Sequence, residues 1–324
     1  MIDGIENKLM NIIVVTPVYN DWNSFQTLVK ELYDITQKNP FVIGHIIAVN
    51  DGSSDVFDEN LYASKIPTTI LNLNTNMGHQ RAISMGLAYV EENFSTLDFV
   101  IVMDCDGEDR PLDITKLIEA LKQSNFNKII FAKREKRSEG FVFKFFYAIY
   151  KVIFYKLTAQ RLDFGNFSCI PNRLLSKVVS IPEIWNHYSG GIIKSKIPYA
   201  SVGTDRGKRY YGHSKMNFQN LVLHGLSSIS IYLDIVSIRL LMFASFCSAL
   251  VILGLFAIVY LALFTDFPIP GWSSLTGLLL INILAIFILT TFLILLFQLN
   301  QKAIVKFAPK TFYKDFILSI HQLK

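Results

Sequence analysis

Phe99-Val100-Ile101-Val102-Met103-Asp104-Cys105-Asp106-Gly107-Glu108-Asp109-Arg110-Pro111 opens as a short apolar run and ends with four acids in six residues. The apolar run predicts a buried strand. A strand that stops in an acidic turn puts carboxylates at the carboxyl edge of a sheet, where open α/β folds take their ligands. Asp104 and Asp106 are two apart, so in extended backbone both side chains leave on one face. Two hard oxygen donors on one face suit Mg²⁺ or Mn²⁺, which complete their shells with water and substrate phosphate. A solvated acidic turn is the plain alternative, and the rest of the chain weighs against it.

The chain has 324 residues, enough for a catalytic domain plus an addition. It is 51% hydrophobic with a mean hydropathy of +0.35, more apolar than an ordinary soluble enzyme. A formal charge of +5 suits an anionic membrane surface or phosphorylated substrates and gives little reason to invoke nucleic acid. Cys105, Cys169 and Cys247 have no zinc or disulfide spacing, so the catalytic part is expected in a reducing, cytosolic compartment. Asp3 and Glu6 near the start do not fit the basic-then-apolar pattern of a signal peptide.

Upstream, Asn11–Val15 reads as a strand closed by Pro17, with Tyr19-Asn20-Asp21 turning after it. Phe25, Leu28, Val29 and Leu32 then recur at helical spacing. Gly44–Val49 predicts a second strand, ending in Asn50-Asp51-Gly52-Ser53-Ser54-Asp55, and Thr69–Leu73 a third, ending in Asn74-Thr75-Asn76-Met77-Gly78-His79. Gln80–Val90 reads as a helix. This order implies an α/β domain with a mainly parallel sheet, and polar strand ends recurring along one edge imply a ligand site there.

Thr16-Pro17-Val18-Tyr19-Asn20, Asp51-Gly52-Ser53-Ser54-Asp55, Asn76-Met77-Gly78 and Asp104-Cys105-Asp106 follow in the order of the signature series of family 2 glycosyltransferases. Arg134 and Arg137 after the strand Lys128–Ala132, Asp163-Phe164-Gly165-Asn166-Phe167, and Arg209-Tyr210-Tyr211-Gly212-His213-Ser214-Lys215 continue the match. The last element is similar to the Arg-x-x-Gly-x-Ser-Lys of polyprenyl-phosphate glycosyltransferases such as dolichol-phosphate mannose synthase and bacterial undecaprenyl-phosphate glucosyltransferases. The resemblance implies a GT-A nucleotide-sugar-binding fold and inverting transfer from a UDP- or GDP-linked sugar to a polyprenyl phosphate. It implies nucleotide contacts at Pro17, Tyr19, Asp21 and Asp51. Mg²⁺ or Mn²⁺ would lie at Asp104 and Asp106, with Glu108 where relatives often have a Gln that helps the ion. Arg134, Arg209 and Lys215 match cationic positions around the phosphates and join the acid pair as implied catalytic groups. A homo-oligomer, a tetramer by resemblance, is also implied. Three departures stand out: Asn50 replaces a common aspartate, Asn166 replaces the aspartate of Gly-Asp-Phe, and Gly107 replaces a common leucine, which suggests a looser turn. A lipid phosphate monoester, with a second pKa near ~6, is already nucleophilic at neutral pH and needs no base.

Phe141–Leu157 is dense in aromatics and broken by Lys144, Lys151 and Lys156, which suits a helix in the membrane interface or an ordinary core helix. Met216–Leu233 has the same interfacial character. Leu240–Phe264 and Leu275–Leu299 are uncharged and each about long enough to span a ~30 Å hydrocarbon core. Arg239 precedes them, Lys302, Lys306, Lys310 and Lys314 follow, and the loop between has no Lys or Arg, which predicts both termini in the cytoplasm. The expected division is a cytoplasmic GT-A catalytic domain over 1–215, interfacial helices over 216–237, a transmembrane helical hairpin over 238–300 and a cytoplasmic tail over 301–324 that returns to the membrane surface. A bacterial inner membrane is the expected location, with the lipid bilayer itself a partner. Two alternatives are a processive polysaccharide synthase and a non-catalytic nucleotide-sugar-binding scaffold. The first normally carries Gln-x-x-Arg-Trp, and none of Trp22, Trp185 and Trp272 has that context.

Overall fold

A computed structural model describes residues 10–59, 62, 65–134, 151–160, 164–212, 225–265, 271–304 and 306–323. The chain divides into two compact units, one built on a sheet and one on a helical hairpin. The sheet unit begins with β1 (Met10–Val18), α1 (Trp22–Thr36), β2 (Phe41–Asn50), β3 (Thr68–Leu73), α2 (His79–Asn93), β4 (Phe99–Val102), α3 (Ile114–Gln123) and β5 (Ile129–Arg134). It continues with β6 (Ser168–Pro171), two helices at Asn172–Val179 and Tyr188–Lys194, β7 (Tyr199–Thr204) and, after the hairpin, β8 (Ile317–Leu323).

The strand order is β7-β5-β6-β4-β1-β2-β3-β8. The expected parallel centre is present: β1 pairs in parallel with β2 and β4, and β2 with β3. β6 runs antiparallel to both its neighbours, and β8 runs antiparallel to β3. β1 alternates strictly between the two layers of core. Ile12 and Val14 pack with α1 and α3, whereas Ile13 and Val15 pack with α2 and the two later helices. In α1 the predicted stripe Phe25, Leu28, Val29 and Leu32 is the buried face. The register aligns Val18 with Asn50, Asn50 with Asn72, and Val15 with Val102. The polar ends noted in the sequence therefore meet along one edge.

β8 corrects one expectation. The tail does not simply lie against the membrane: Ile317–Leu323 closes the sheet, from Leu73↔Ile317 to Thr68↔Leu323. Asn74 adds two ties: its backbone N–H donates to the Phe316 carbonyl at 3.0 Å and its side-chain Nδ2 to the Asp315 backbone carbonyl at 3.1 Å. The pairing was hidden because its partner lies some 250 residues upstream and the strand presents no buried stripe.

The second unit contains helices Leu233–Phe264 and Trp272–Ala303, each long and apolar enough to cross a membrane. They pack antiparallel, with Gly254 against Leu280 and the Gln298 amide donating to the carbonyls of Leu233 (3.1 Å) and Asp234 (3.3 Å). Both exceed the predicted spans by entire turns. Residues 151–158, the described end of the aromatic-lysine stretch, are helical and expose Val152, Ile153 and Tyr155. Lys144, the rest of that stretch, and 216–224 of the second interfacial candidate lie outside the described residues.

Candidate active site

The acidic turn is shaped by a glycine with no freedom to be anything else. Gly107 has φ +90°, and a Cβ there would stand 2.9 Å from both the Lys208 carbonyl oxygen and the Tyr210 ring. Gly207 opposite is tighter still, its virtual Cβ 2.0 Å from the Gly107 oxygen. The close approach lets two backbone bonds form: Gly207 N–H donates to the Glu108 carbonyl at 2.9 Å and Tyr210 N–H to the Asp106 carbonyl at 2.8 Å. Leucine's absence at 107 thus tightens the turn, contrary to expectation. The segment zipped against the acids delivers Arg206 and Arg209 to them.

Asp106 accepts from the Glu108 amide (2.8 Å) and pairs with Arg209 Nη2 (2.7 Å). Burial, with the Asp104 charge next, pushes its carboxyl up to about 6. Asp104 Oδ1 lies 3.2 Å from Nε2 of His79, the first residue of α2, as an ion pair, and is otherwise a buried oxygen without a hydrogen-bond partner among the described residues. Burial opposes the charge on both groups; their mutual attraction outweighs it, lowering Asp104 and raising His79. Asn166 enters from the start of β6, its side-chain nitrogen 3.0 Å from the same His79 nitrogen. Asp109 is buried beneath, accepting from the Asp104 backbone amide (3.0 Å), and burial followed by Asp104's charge pushes it up to about 7.

Glu108 receives Arg206 through Nε (3.1 Å) and Nη2 (2.7 Å), and Arg134 Nη1 at 3.2 Å, with Arg209 Nη2 at 3.5 Å. Burial works against its charge, but these arginines hold it below the ordinary carboxylate range. Glu108, expected to help the ion, is engaged here by three arginines. Among the described residues no three His, Cys, Asp or Glu side chains gather around a common point, and Glu108 serves as counter-ion to the arginines. The orphaned Asp104 oxygen and the reluctant ionisation of Asp106 beside it fit a divalent cation held by that pair alone.

The nucleotide candidates split. Pro17, Tyr19 and Asp51 line one pocket with Asn76, Gly78 and His79. Asp51 is buried, and its carboxylate is spent within the protein on the amides of Met77 (2.6 Å) and Gly78 (2.9 Å), anchoring the turn into α2. Burial raises its pKa, and these amides oppose the rise. Asp21 lines a neighbouring pocket with Trp22, Asp55, Arg209 and Tyr211. Asn50 also gains a physical reason. Its amide donates to Asn72 Oδ1 (2.8 Å) and accepts from Ser53 N (3.0 Å), and Asn72 donates onward to Ser319 of β8 (3.0 Å). Lys215 and Arg137 lie outside the described residues.

The model of the glycosyl transferase family 2 matches residues 13–180, a little over half the chain. The chain belongs to that family. It is 28% identical over 281 residues to the uncharacterized glycosyltransferase YkcC of Bacillus subtilis, covering 81% of this chain and 80% of that one. It is 23% identical over 296 residues to undecaprenyl-phosphate 4-deoxy-4-formamido-L-arabinose transferase of Klebsiella pneumoniae, covering 86% and 83%. Among solved structures, glucosyl-3-phosphoglycerate synthase from Mycobacterium tuberculosis, in complex with Mn²⁺, UDP-glucose and phosphoglyceric acid, is similar in fold. Its TM-score is 0.51 at 15% identity, covering 70% of this chain and 80% of that one.

For this family 2 glycosyltransferase, the structure places Asp104, Asp106, Arg134 and Arg209, the last two of which the family resemblance implied, in one cluster. It adds three residues that sequence reasoning passed over. His79 closes the Asn-Met-Gly-His run, Asp109 closes the acidic turn, and Arg206 lies three before the recognised Arg209. Each had a signal only in its adjacency to a motif.

Proposed function

We propose that this glycosyltransferase moves a sugar from a UDP- or GDP-linked donor to a polyprenyl phosphate at the cytoplasmic face of a membrane. The observation that carries the reading is a strand-end carboxylate pair ringed by arginines, in a chain that also holds two exposed helices of membrane-spanning length. The name of the Klebsiella pneumoniae relative, an undecaprenyl-phosphate sugar transferase, supports the acceptor, and the nucleotide-sugar complex of the fold neighbour supports the donor class.

The nucleoside is proposed to lie against Pro17, Tyr19 and the turn that Asp51 holds. Its diphosphate faces Asp104, Asp106, Arg134 and Arg209, with Lys215 as a further cation. A lipid phosphate oxygen attacks the anomeric carbon from the side opposite the diphosphate. The anomeric C–O bond breaks, the nucleoside diphosphate departs with that bond's electrons, and the configuration inverts. Because a phosphate monoester is largely dianionic at neutral pH, Asn166 can stand where relatives have an aspartate. Asp104 and Asp106 would hold Mg²⁺ or Mn²⁺, which would supply Lewis-acid neutralisation of the leaving group. Arg134 and Arg209, now paired with acids, are positioned to exchange those partners for phosphate oxygens by charge-assisted hydrogen bonds.

The test uses full-length protein in lipid vesicles containing polyprenyl phosphate, offered a panel of radiolabelled UDP- and GDP-sugars with Mn²⁺ or Mg²⁺. The expected result is label in an organic-phase product that mild acid releases as free sugar. Donor hydrolysis alone, or transfer only to water-soluble acceptors, would overturn the acceptor assignment.

A further inference from the structure

The first turn of α2 faces a cleft of about 550 Å³, whose lining includes Gln80, Arg81, Asp104, Asn166, Trp185 and Asn186. The cleft meets the nucleoside pocket at Gly78 and His79, which line both. With the nucleoside in that pocket and its diphosphate at Asp104, the next group of the donor, the sugar, falls in the cleft. This step rests on the glycosyl-transfer reading above.

Arg81 is the unusual member of the lining. The other arginines near the acids are spent on Glu108, Asp106 or Asp109. The Arg81 side chain makes no hydrogen bond or ion pair with any described residue; its guanidinium lies over the Trp185 ring, 5.4 Å from the centroid. That platform is itself fixed from behind. Phe312 meets Trp185 edge-on at 4.8 Å and Phe316 at 5.4 Å, both from the segment leading into β8. A cation stacked on a braced aromatic keeps its planar donor fork in one orientation and has donors to spare. Three amide side chains, Gln80, Asn166 and Asn186, share the lining. Gln80 commits its oxygen to the Tyr188 amide (2.6 Å), leaving its NH₂ group for the cleft, and Asn166 and Asn186 complete a set suited to ring hydroxyls. Amides both donate and accept, so hydroxyls satisfy them. A guanidinium only donates, and its best partner is an oxygen that bears no hydrogen.

We propose that Arg81 determines donor specificity by pairing with a carbonyl-type oxygen on the transferred sugar, carried either by a carboxylate or by an acylamino group. The two sources share the same acceptor atom and differ in charge. An unsubstituted hexose leaves Arg81 unmatched when the cleft fills.

The test measures binding to the full-length protein in detergent by calorimetry, with Mn²⁺ and without acceptor. The ligands are UDP, UDP-glucose, UDP-glucuronate and UDP-N-acetylglucosamine, with GDP, GDP-mannose and GDP-mannuronate as the second nucleotide series. Wild-type protein is expected to bind one substituted sugar about tenfold or more tighter than its plain hexose counterpart, the scale of a hydrogen bond to a charged group. Arg81→Ala should bring that ratio to within about twofold while free nucleotide affinity holds. Arg81→Lys separates the sources: a point charge retains part of a carboxylate preference and loses an acylamino one. Trp185→Leu, which removes the platform but keeps the cation, should reduce the same ratio. Equal wild-type affinity for plain and substituted sugars would overturn the proposal, as would a ratio that survives Arg81→Ala. A surviving ratio together with a raised requirement for polyprenyl phosphate would assign Arg81 to the acceptor instead. Failure of both free nucleotides to bind would sink the glycosyl-transfer reading itself, a distinct result from nucleotide binding without sugar discrimination.

Discussion

Gly207→Ala is the smallest change that should disable the site without touching an ionisable group. The new Cβ would stand 2.0 Å from the Gly107 carbonyl oxygen, where real contacts do not fall below 3.0 Å. The two backbones must therefore separate by about 1 Å. The obstacle is the main chain of Gly107, itself a φ +90° glycine, so no side-chain rotation relieves the clash with its carbonyl oxygen. Adding about 1 Å to the 2.9 Å bond from Gly207 N–H to the Glu108 carbonyl takes it beyond hydrogen-bonding range, a loss of about 1 kcal/mol. The larger effect is on function. Arg206 and Arg209 ride on the displaced segment, and their 2.7 Å contacts to Glu108 and Asp106 depend on its placement. A misplacement of about 1 Å in groups that orient a transferring centre can cost on the order of 100-fold in rate. We therefore expect Gly207→Ala to lower kcat/KM for the donor about 100-fold and to move the unfolding midpoint by only a few degrees. The assay pairs initial rates of lipid-linked sugar formation with thermal unfolding in the same detergent. Wild-type kinetics in Gly207→Ala would refute the argument that this backbone contact positions the arginines.

Asp104→Asn and Asp106→Asn should each abolish transfer and weaken Mn²⁺ binding measured by electron paramagnetic resonance; full activity of both in excess chelator would remove the metal assignment. The pH dependence has a definite sign. Asp106, pushed up to about 6, must lose its proton to take a cation, so Mn²⁺ affinity should fall up to about tenfold per pH unit below 6 and level off above it. Because that folded-state value lies above the ordinary 3.8, the Asp106 contribution to stability falls as pH rises from about 3.8 to about 6 and levels off above, and Mn²⁺ should raise the unfolding midpoint more at pH 8 than at pH 5.5. Cysteines placed at Ser273, in the first turn of the second long helix, and at Leu318, exposed on β8, should label from opposite sides of sealed vesicles; labelling from one side would refute the membrane hairpin.

How much was legible depended on the range of the interaction. α1 announced its buried face in four residues, because helical periodicity is local. β4 ends at Val102, so Asp104 and Asp106 meet in the turn beyond it and not on the face of a strand, whereas the two long apolar helices followed from composition. Glu108 entered as a metal-helping position by family resemblance; its pairing with Arg206, which arrives from about 100 residues downstream, had no local signal. Gly107 looked permissive in isolation and proved obligatory once Lys208 and Tyr210 lay against it. Asn50 read as a loss, yet its amide bridges Ser53 to Asn72 across two strand ends. In each case the deciding partner is distant in sequence, and no local pattern encodes it.

The closing of the sheet by β8 has a consequence for biogenesis. β3 must wait for a partner that leaves the ribosome only after the whole helical hairpin has been made. At about 5–20 residues per second, the roughly 240 residues between β3 and β8 leave that strand edge uncovered for tens of seconds. Chains stalled or truncated within the hairpin would carry a nearly complete catalytic unit with an open, pairing-competent edge, and quality-control factors could recognise that edge. Were both long helices to cross a bilayer, the even number of crossings would return β8 to the side where β3 waits, and completion of the sheet's last strand would report on their insertion.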